Sequence, residues 1–168
     1  VNAWAMPGGK IVVYTGLMPV AQTETGVAVV MAHEVAHALA DHGAQRMSTT
    51  QLQQVVGQLG SAAIGGSEQT QQLFATAYGL GSNLGVMLPF SRGHETEADR
   101  IGLTLMAIAG YDPTEAAELW KRMQAQGGQA PPEFLSTHPS NQTRINNLTK
   151  WAPEAKAEAA KFGVTSFQ

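Results

Sequence analysis

Apolar residues change their spacing several times along the chain, and each change marks an element. Ile11-Val12-Val13-Tyr14-Thr15 is a run of β-branched and aromatic residues, the composition of a strand. Pro7-Gly8-Gly9 before it is a turn signal, so residues 1–16 read as a β-hairpin with Trp4-Ala5-Met6 in its first strand. From about Thr25 to His42 the period lengthens, with Val27, Val30, Met31, Val35, Ala38 and Leu39 at helical spacing. Thr23 or Thr25 offers the N-cap and Gly43 the stop. Two amphipathic helices follow, near Gln51–Ile64 and Glu68–Leu84, joined through Gly65-Gly66. Another runs from Ser91 or Arg92 to about Ala109 and ends at Gly110. Asp112-Pro113-Thr114-Glu115 has the form of a capping box that opens a helix to about Ala125. A loop from Gly127 to Pro139 precedes two short helices, Ser140–Trp151 and Pro153–Phe162. The pattern predicts an α+β fold, mostly α, with a small N-terminal sheet.

Composition narrows the class. A length of 168 residues suits a single domain spanning 1–168. The start at Val1, without Met, reads as a processed chain or an excised catalytic domain. No cysteine is present, which excludes disulfide scaffolds, cysteine–zinc sites and thiol nucleophiles. A net charge of −3 and a pI near 5.9 argue against a nucleic-acid partner. No signal peptide is visible, and the uncharged stretches 47–67 and 69–91 are too rich in Gln, Ser, Thr and Gly to cross a bilayer.

Chemistry enters with His33-Glu34-Val35-Ala36-His37, an H-E-x-x-H motif inside an otherwise apolar helix. Residues i and i+4 share a helix face, so both imidazoles reach one zinc ion. Glu34 flanks the open position and can accept a proton from a water that the metal acidifies. Burying three such polar groups without a partner would be costly, and metal ligation explains them. A third ligand is needed. His42 falls one residue short of the spacing that would supply it, so it reads as a last-turn histidine favoured by the helix dipole. The stronger candidate is Glu95, with Asp99 one turn on to accept the free ring N–H of a ligating histidine. Glu97, about 200° around the helix from Glu95, is expected to face solvent, and His94 to be a surface residue at the helix start. Glu68 is the other acidic choice, without an acidic partner one turn away.

Taken together, these segments resemble the HtpX/BepA/Oma-like zinc metallopeptidases, relatives of the CAAX prenyl proteases. The resemblance rests on Asn2-Ala3 with Pro7-Gly8-Gly9-Lys10-Ile11 and Thr15-Gly16-Leu17, on the zinc helix, on Ser91-Arg92 with Glu95-Thr96-Glu97-Ala98-Asp99, and on Thr137-His138-Pro139 with Arg144-Ile145. It spans roughly residues 2–148. It implies a zincin-like fold and a gluzincin endopeptidase with one Zn2+ held by His33, His37 and Glu95. It implies work on misfolded or membrane-associated polypeptides, in the bacterial periplasm or at the outer membrane. His138 is implied near the zinc, either donating to an oxyanion or holding the fourth metal position in a latent state. Arg144 is expected to pair with a site carboxylate or with substrate, or else to be solvated. Residues 47–90 read either as packing for the zinc helices or as a lid or membrane-surface element. The rival function is a peptide-binding, chaperone-like module that does not cut.

Overall fold

The computed structural model describes residues 2–6, 9–63, 90–126 and 133–168. The architecture is α+β and mostly helical, as the pattern predicts. The chain divides into two compact units, residues 1–42 with 89–168, and residues 43–88.

The first unit opens with an antiparallel hairpin of β1 (Ala3–Met6) and β2 (Lys10–Val13), with Ala3 opposite Val13 and Met6 opposite Lys10. Gly9 turns the chain at φ 77°, a conformation that favours glycine. A 3-10 turn (Thr15–Leu17) and the single turn α1 (Met18–Ala21) lead into α2 (Glu24–Leu39). Thr23 caps α2 by accepting the Gly26 N–H at 3.0 Å. Helix α3 (His42–Ala63) starts with the last residue of the first unit and continues into the second. The first unit resumes with α4 (Arg92–Ile108), whose cap Ser91 accepts the His94 N–H at 3.1 Å. Then come α5 (Glu115–Ala125), the short α6 (Glu133–Thr137) and α7 (Gln142–Ala160).

The core of this unit lies among α2, α4, α5 and α7, where Val30, Leu103, Met106, Leu119, Trp120 and Leu148 are buried. Helices α2 and α4 come closest at Gly102, where a Cβ would stand 3.2 Å from the His33 backbone nitrogen. The absent side chain lets α4 bring its carboxylates up to the helix that carries H-E-x-x-H.

Several boundaries differ from the sequence expectation. Helix α2 ends at Leu39, because Asp41, not Gly43, takes the left-handed conformation (φ 54°). His42 therefore begins a new helix instead of closing the old one, and α3 starts well before Gln51. Asp112 accepts the Thr114 N–H and hydroxyl at 2.9 and 2.8 Å in the turn before the helix, but Thr114 is the N-cap, the helix begins at Glu115, and Glu115 pairs with Arg122 in place of closing the box. The expected loop 127–139 contains α6. Pro153 does not split the last helix. It removes one N–H from the ladder, yet Ala152, Ala155 and Ala159 stay buried on a common face and hold the helix together. The expected helix near Glu68–Leu84, the Gly65-Gly66 joint and Glu68 itself lie outside the described residues. In the second unit Met47, Leu52 and Val55 are exposed on α3. Among the described residues no helix is long and apolar enough to cross a membrane.

Gly26 offers a test of this packing. A Cβ there would lie 2.1 Å from the Ala21 carbonyl oxygen, which is backbone and cannot swing away. Replacing a helical glycine by alanine normally gains about 0.5–1 kcal/mol. Here Gly26→Ala is expected to reverse the sign and cost roughly 1–3 kcal/mol, read as a lowered midpoint in thermal or denaturant unfolding.

Candidate metal centre

Three helices and one helix exit deliver the site. The i, i+4 spacing places His33 and His37 on one face of α2, and i, i+4 again places Glu95 and Asp99 on one face of α4. His138 follows α6 directly, its N–H donating to the Phe134 carbonyl at 2.9 Å and its ring stacked on Phe134 at 4.4 Å. Arg144 sits in the first turn of α7, placed by Asn141, whose side chain accepts the Arg144 N–H at 2.8 Å. All of these side chains, and that of Glu34, are buried.

One donor atom from each of His33, His37, Glu95 and His138 falls within a cluster no wider than 4.8 Å. His33 Nε2 lies 3.0 Å from His37 Nε2 and 3.2 Å from His138 Nδ1. Glu95 Oε1 lies 3.1 Å from His37 Nε2 and 3.0 Å from His138 Nδ1. Around this cluster the outer contacts are specific. Asp99 Oδ1 is 3.1 Å from His33 Nδ1. Arg144 donates to both Asp99 oxygens, at 2.6 and 2.8 Å, and reaches Glu95 Oε2 at 2.5 Å. Its guanidinium also lies over the Trp120 ring, 3.7 Å from the centroid. Glu34 receives the Ala5 N–H on Oε2 at 3.0 Å. Its Oε1 is buried without a hydrogen-bond donor, 3.3 Å from His138 Nε2.

The electrostatics match a cation site. Burial alone would lower His33, but Glu95 and Asp99 outweigh it and raise the imidazole to about 9. Burial lowers His37 to about 3 and His138 to about 4, so both rings are neutral at pH 7. Burial opposes the charge on Glu95, yet His33 and the hydrogen bonds from the three imidazoles hold its carboxyl far below the usual range. Asp99 is held down against burial by Arg144, and Arg144 is held charged by Asp99 and Glu95. Burial pushes Glu34 up to about 7 despite His33 and the Ala5 N–H.

A divalent ion fits these residues on the structure's own terms. The Nε2 atoms of His33 and His37 face each other at 3.0 Å, with Glu95 Oε1 3.1 Å from His37 Nε2 and the Arg144 guanidinium 3.2 Å from His33 Nε2, a set of atoms that a cation could draw together. The unpartnered Glu34 Oε1 and the charged Glu95 give the same answer.

The fold gathers His33, Glu34, His37, Glu95, Asp99, His138 and Arg144 in one place. Of the three alternatives for Arg144, the structure shows the buried pairing with carboxylates. Two other expectations are corrected, for His42 and His94, and Glu97 gains a contact. His42 is fully buried beside His37 and is not a last-turn surface residue. Glu97 is exposed, as expected, but its carboxylate reaches His42 Nε2 at 3.2 Å. His94 is half-buried and stacks on His42 at 4.3 Å. The signal for His42 was Asp41, a residue type that tolerates the left-handed conformation and so can end α2 early. No signal in the sequence marked Phe134 as the platform for His138.

A sequence profile of Peptidase family M48 matches residues 1–152. Mitochondrial metalloendopeptidase OMA1 of Schizosaccharomyces pombe is 42% identical over 159 residues, which cover 94% of this chain and 45% of that protein. The Arabidopsis thaliana OMA1 is 42% identical over 150 residues, 89% of this chain and 29% of that protein. The β-barrel assembly-enhancing protease of Escherichia coli K12 is 32% identical over 150 residues, 86% of this chain and 31% of that protein. The chain thus spans less than half the length of these relatives. With the profile covering nearly all of it, the chain belongs to peptidase family M48.

Proposed function

We propose that residues 1–168 act as one zinc metallopeptidase domain, with His33, His37 and Glu95 as ligands, Asp99 as the carboxylate that orients His33, and Arg144 as the clamp that positions Asp99 and Glu95. The observation that carries this is the buried cluster of four donors with the Glu34 carboxylate beside it. A bound Zn2+ would act as a Lewis acid that acidifies water and polarises a carbonyl.

The chain's own residues supply the rest. Glu34 is anchored by Oε2 to the Ala5 N–H, which leaves Oε1 to accept a proton from the attacking water and pass it to the departing amide nitrogen. The Ala5 N–H is directed at Glu34 and so away from β2, which places the outer edge of β1 next to the base. An extended substrate pairing with that edge would present its backbone to Glu34 whatever its sequence. This supports polypeptides in an unfolded stretch as the substrate class. His138 turns Nδ1 to the ligand cluster and Nε2 to Glu34, which supports a fourth donor in the resting site over a free oxyanion donor. The relatives' names point to two settings, mitochondrial by the OMA1 names and one of β-barrel assembly by the name of the β-barrel assembly-enhancing protease; quality control of polypeptides in the bacterial periplasm or at the outer membrane is the setting that the resemblance implies.

Zinc-loaded protein is expected to hydrolyse casein, and Glu34→Gln to lower that rate by at least about a hundredfold while keeping its zinc. Equal cleavage by both would remove Glu34 from the reaction, whereas peptide capture without cleavage by either would favour the chaperone-like module. His138→Ala is expected to raise basal hydrolysis; a fall would assign the ring to oxyanion stabilisation instead. Metal uptake carries its own pH dependence. His33 holds a proton up to about 9 without metal, so each ion bound near pH 7 is expected to release about one proton. Apparent affinity should then fall about tenfold per pH unit on acidification below that range. Titration calorimetry in buffers of different ionisation enthalpy measures both, and binding with no proton release would contradict the assignment.

A further inference from the structure

We infer that His42 and Glu97 form a hydrogen-bonded relay that positions the metal-binding ring of His37. The contacts run in one line: Glu97 Oε2 to His42 Nε2 at 3.2 Å, then His42 Nδ1 to His37 Nδ1 at 3.0 Å. His42 is fully buried, and the His94 ring stacks on its face at 4.3 Å, so its orientation is set by packing. The inference rests on the reading that His37 is a metal ligand, and it extends that reading to residues outside the H-E-x-x-H motif.

Hydrogen bookkeeping fixes the direction of the line. His37 turns Nε2 to Glu95 and His33, so a metal there takes the Nε2 lone pair. A neutral imidazole then carries its one hydrogen on Nδ1. That hydrogen points at His42 Nδ1, which must accept. With its Nδ1 accepting, His42 carries its own hydrogen on Nε2, and the group facing it is a carboxylate, which accepts. Every donor meets an acceptor in this arrangement. In the reverse one His37 would lose the lone pair on the metal side, and Glu97 would face a bare nitrogen. A partner that accepts the distal N–H of a ligating histidine fixes its tautomer and raises its basicity. His33 obtains this directly from Asp99, and His37 obtains it through a second imidazole.

The test is zinc affinity, measured by competition with a chromophoric chelator, for the wild type, His42→Phe, His42→Asn and Glu97→Ala. The visible absorption of the cobalt-substituted proteins is recorded beside it. His42→Phe keeps bulk but removes the acceptor, and is expected to weaken zinc binding by about 10–100-fold and shift the cobalt spectrum. His42→Asn returns an amide oxygen near the Nδ1 position and is expected to recover most of the loss. Glu97→Ala is expected to cost a few-fold, because solvent can reach the vacated place. Affinities of His42→Phe and Glu97→Ala within about two-fold of the wild type, with an unchanged cobalt spectrum, would overturn the relay. Should His42→Phe fail to fold, Glu97→Ala decides alone, since that side chain is largely exposed. A wild type that binds no zinc overturns the metal reading itself, whereas tight zinc in every variant overturns only the relay.

Discussion

Two imidazole nitrogens on successive turns of α2, His33 Nε2 and His37 Nε2, face each other at 3.0 Å in a buried place. Each ring has its other nitrogen engaged elsewhere, His33 with Asp99 and His37 with His42. Two lone pairs that close repel unless a positive charge lies between them, and the site is arranged around that need. In the metal-free protein a proton on His33 meets it, held there at about 9 by Glu95 and Asp99 against burial, while burial lowers the neighbouring rings. A divalent ion would meet it with more charge and more ligands.

The surrounding charges show which of the two the site is built for. Arg144 neutralises Asp99 through two hydrogen bonds, so that pair contributes no net charge. Glu95 and Glu34 remain, two carboxylates facing three imidazoles. A single proton leaves this set negative, and burial, helped by Glu95, pushes Glu34 up although His33, Arg144 and the Ala5 N–H oppose it. A dication balances both carboxylates and would favour the charged form of Glu34 that a proton acceptor requires. Under the proposed function the ion that the ligands would hold would also tune Glu34, and the Ala5 N–H on β1 anchors that carboxylate.

Much of this was legible in the sequence, for definite reasons. H-E-x-x-H and Glu95 with Asp99 obey helical periodicity, and periodicity is local, so residues four apart declare a common face before any tertiary contact is known. The caps Thr23 and Ser91 were equally readable, because each bonds to its own chain three residues on. What was not legible depends on contacts far along the chain. Gly43 looked like the helix stop, but Asp41 took the left-handed conformation instead and rotated His42 inward. Pro153 looked like a break, but the buried alanines on either side kept the helix whole. Arg144 could have been a solvated residue, and only the approach of α7 to α4 and Trp120 decides that it is a buried clamp. Glu97 was read correctly as exposed, yet exposure did not exclude a contact with a buried ring.

One consequence joins the legible and illegible parts. Residues 95, 97 and 99 project from α4 in two opposed directions, since positions two apart on a helix point about 200° apart. Glu95 and Asp99 share one side, and between them they address both nitrogens of His33. Glu95 also meets the inner nitrogen of His37, but no carboxylate on that side of α4 reaches the outer one. Glu97, pointing the other way, is too far around the helix to touch His37 itself. A second imidazole spans the gap, and the early end of α2 at Leu39 is what places His42 there. The break in α2 and the alternate carboxylates of α4 are therefore one piece of geometry. A single acidic helix sets the orientation of both histidines, directly for His33 and through an intervening ring for His37.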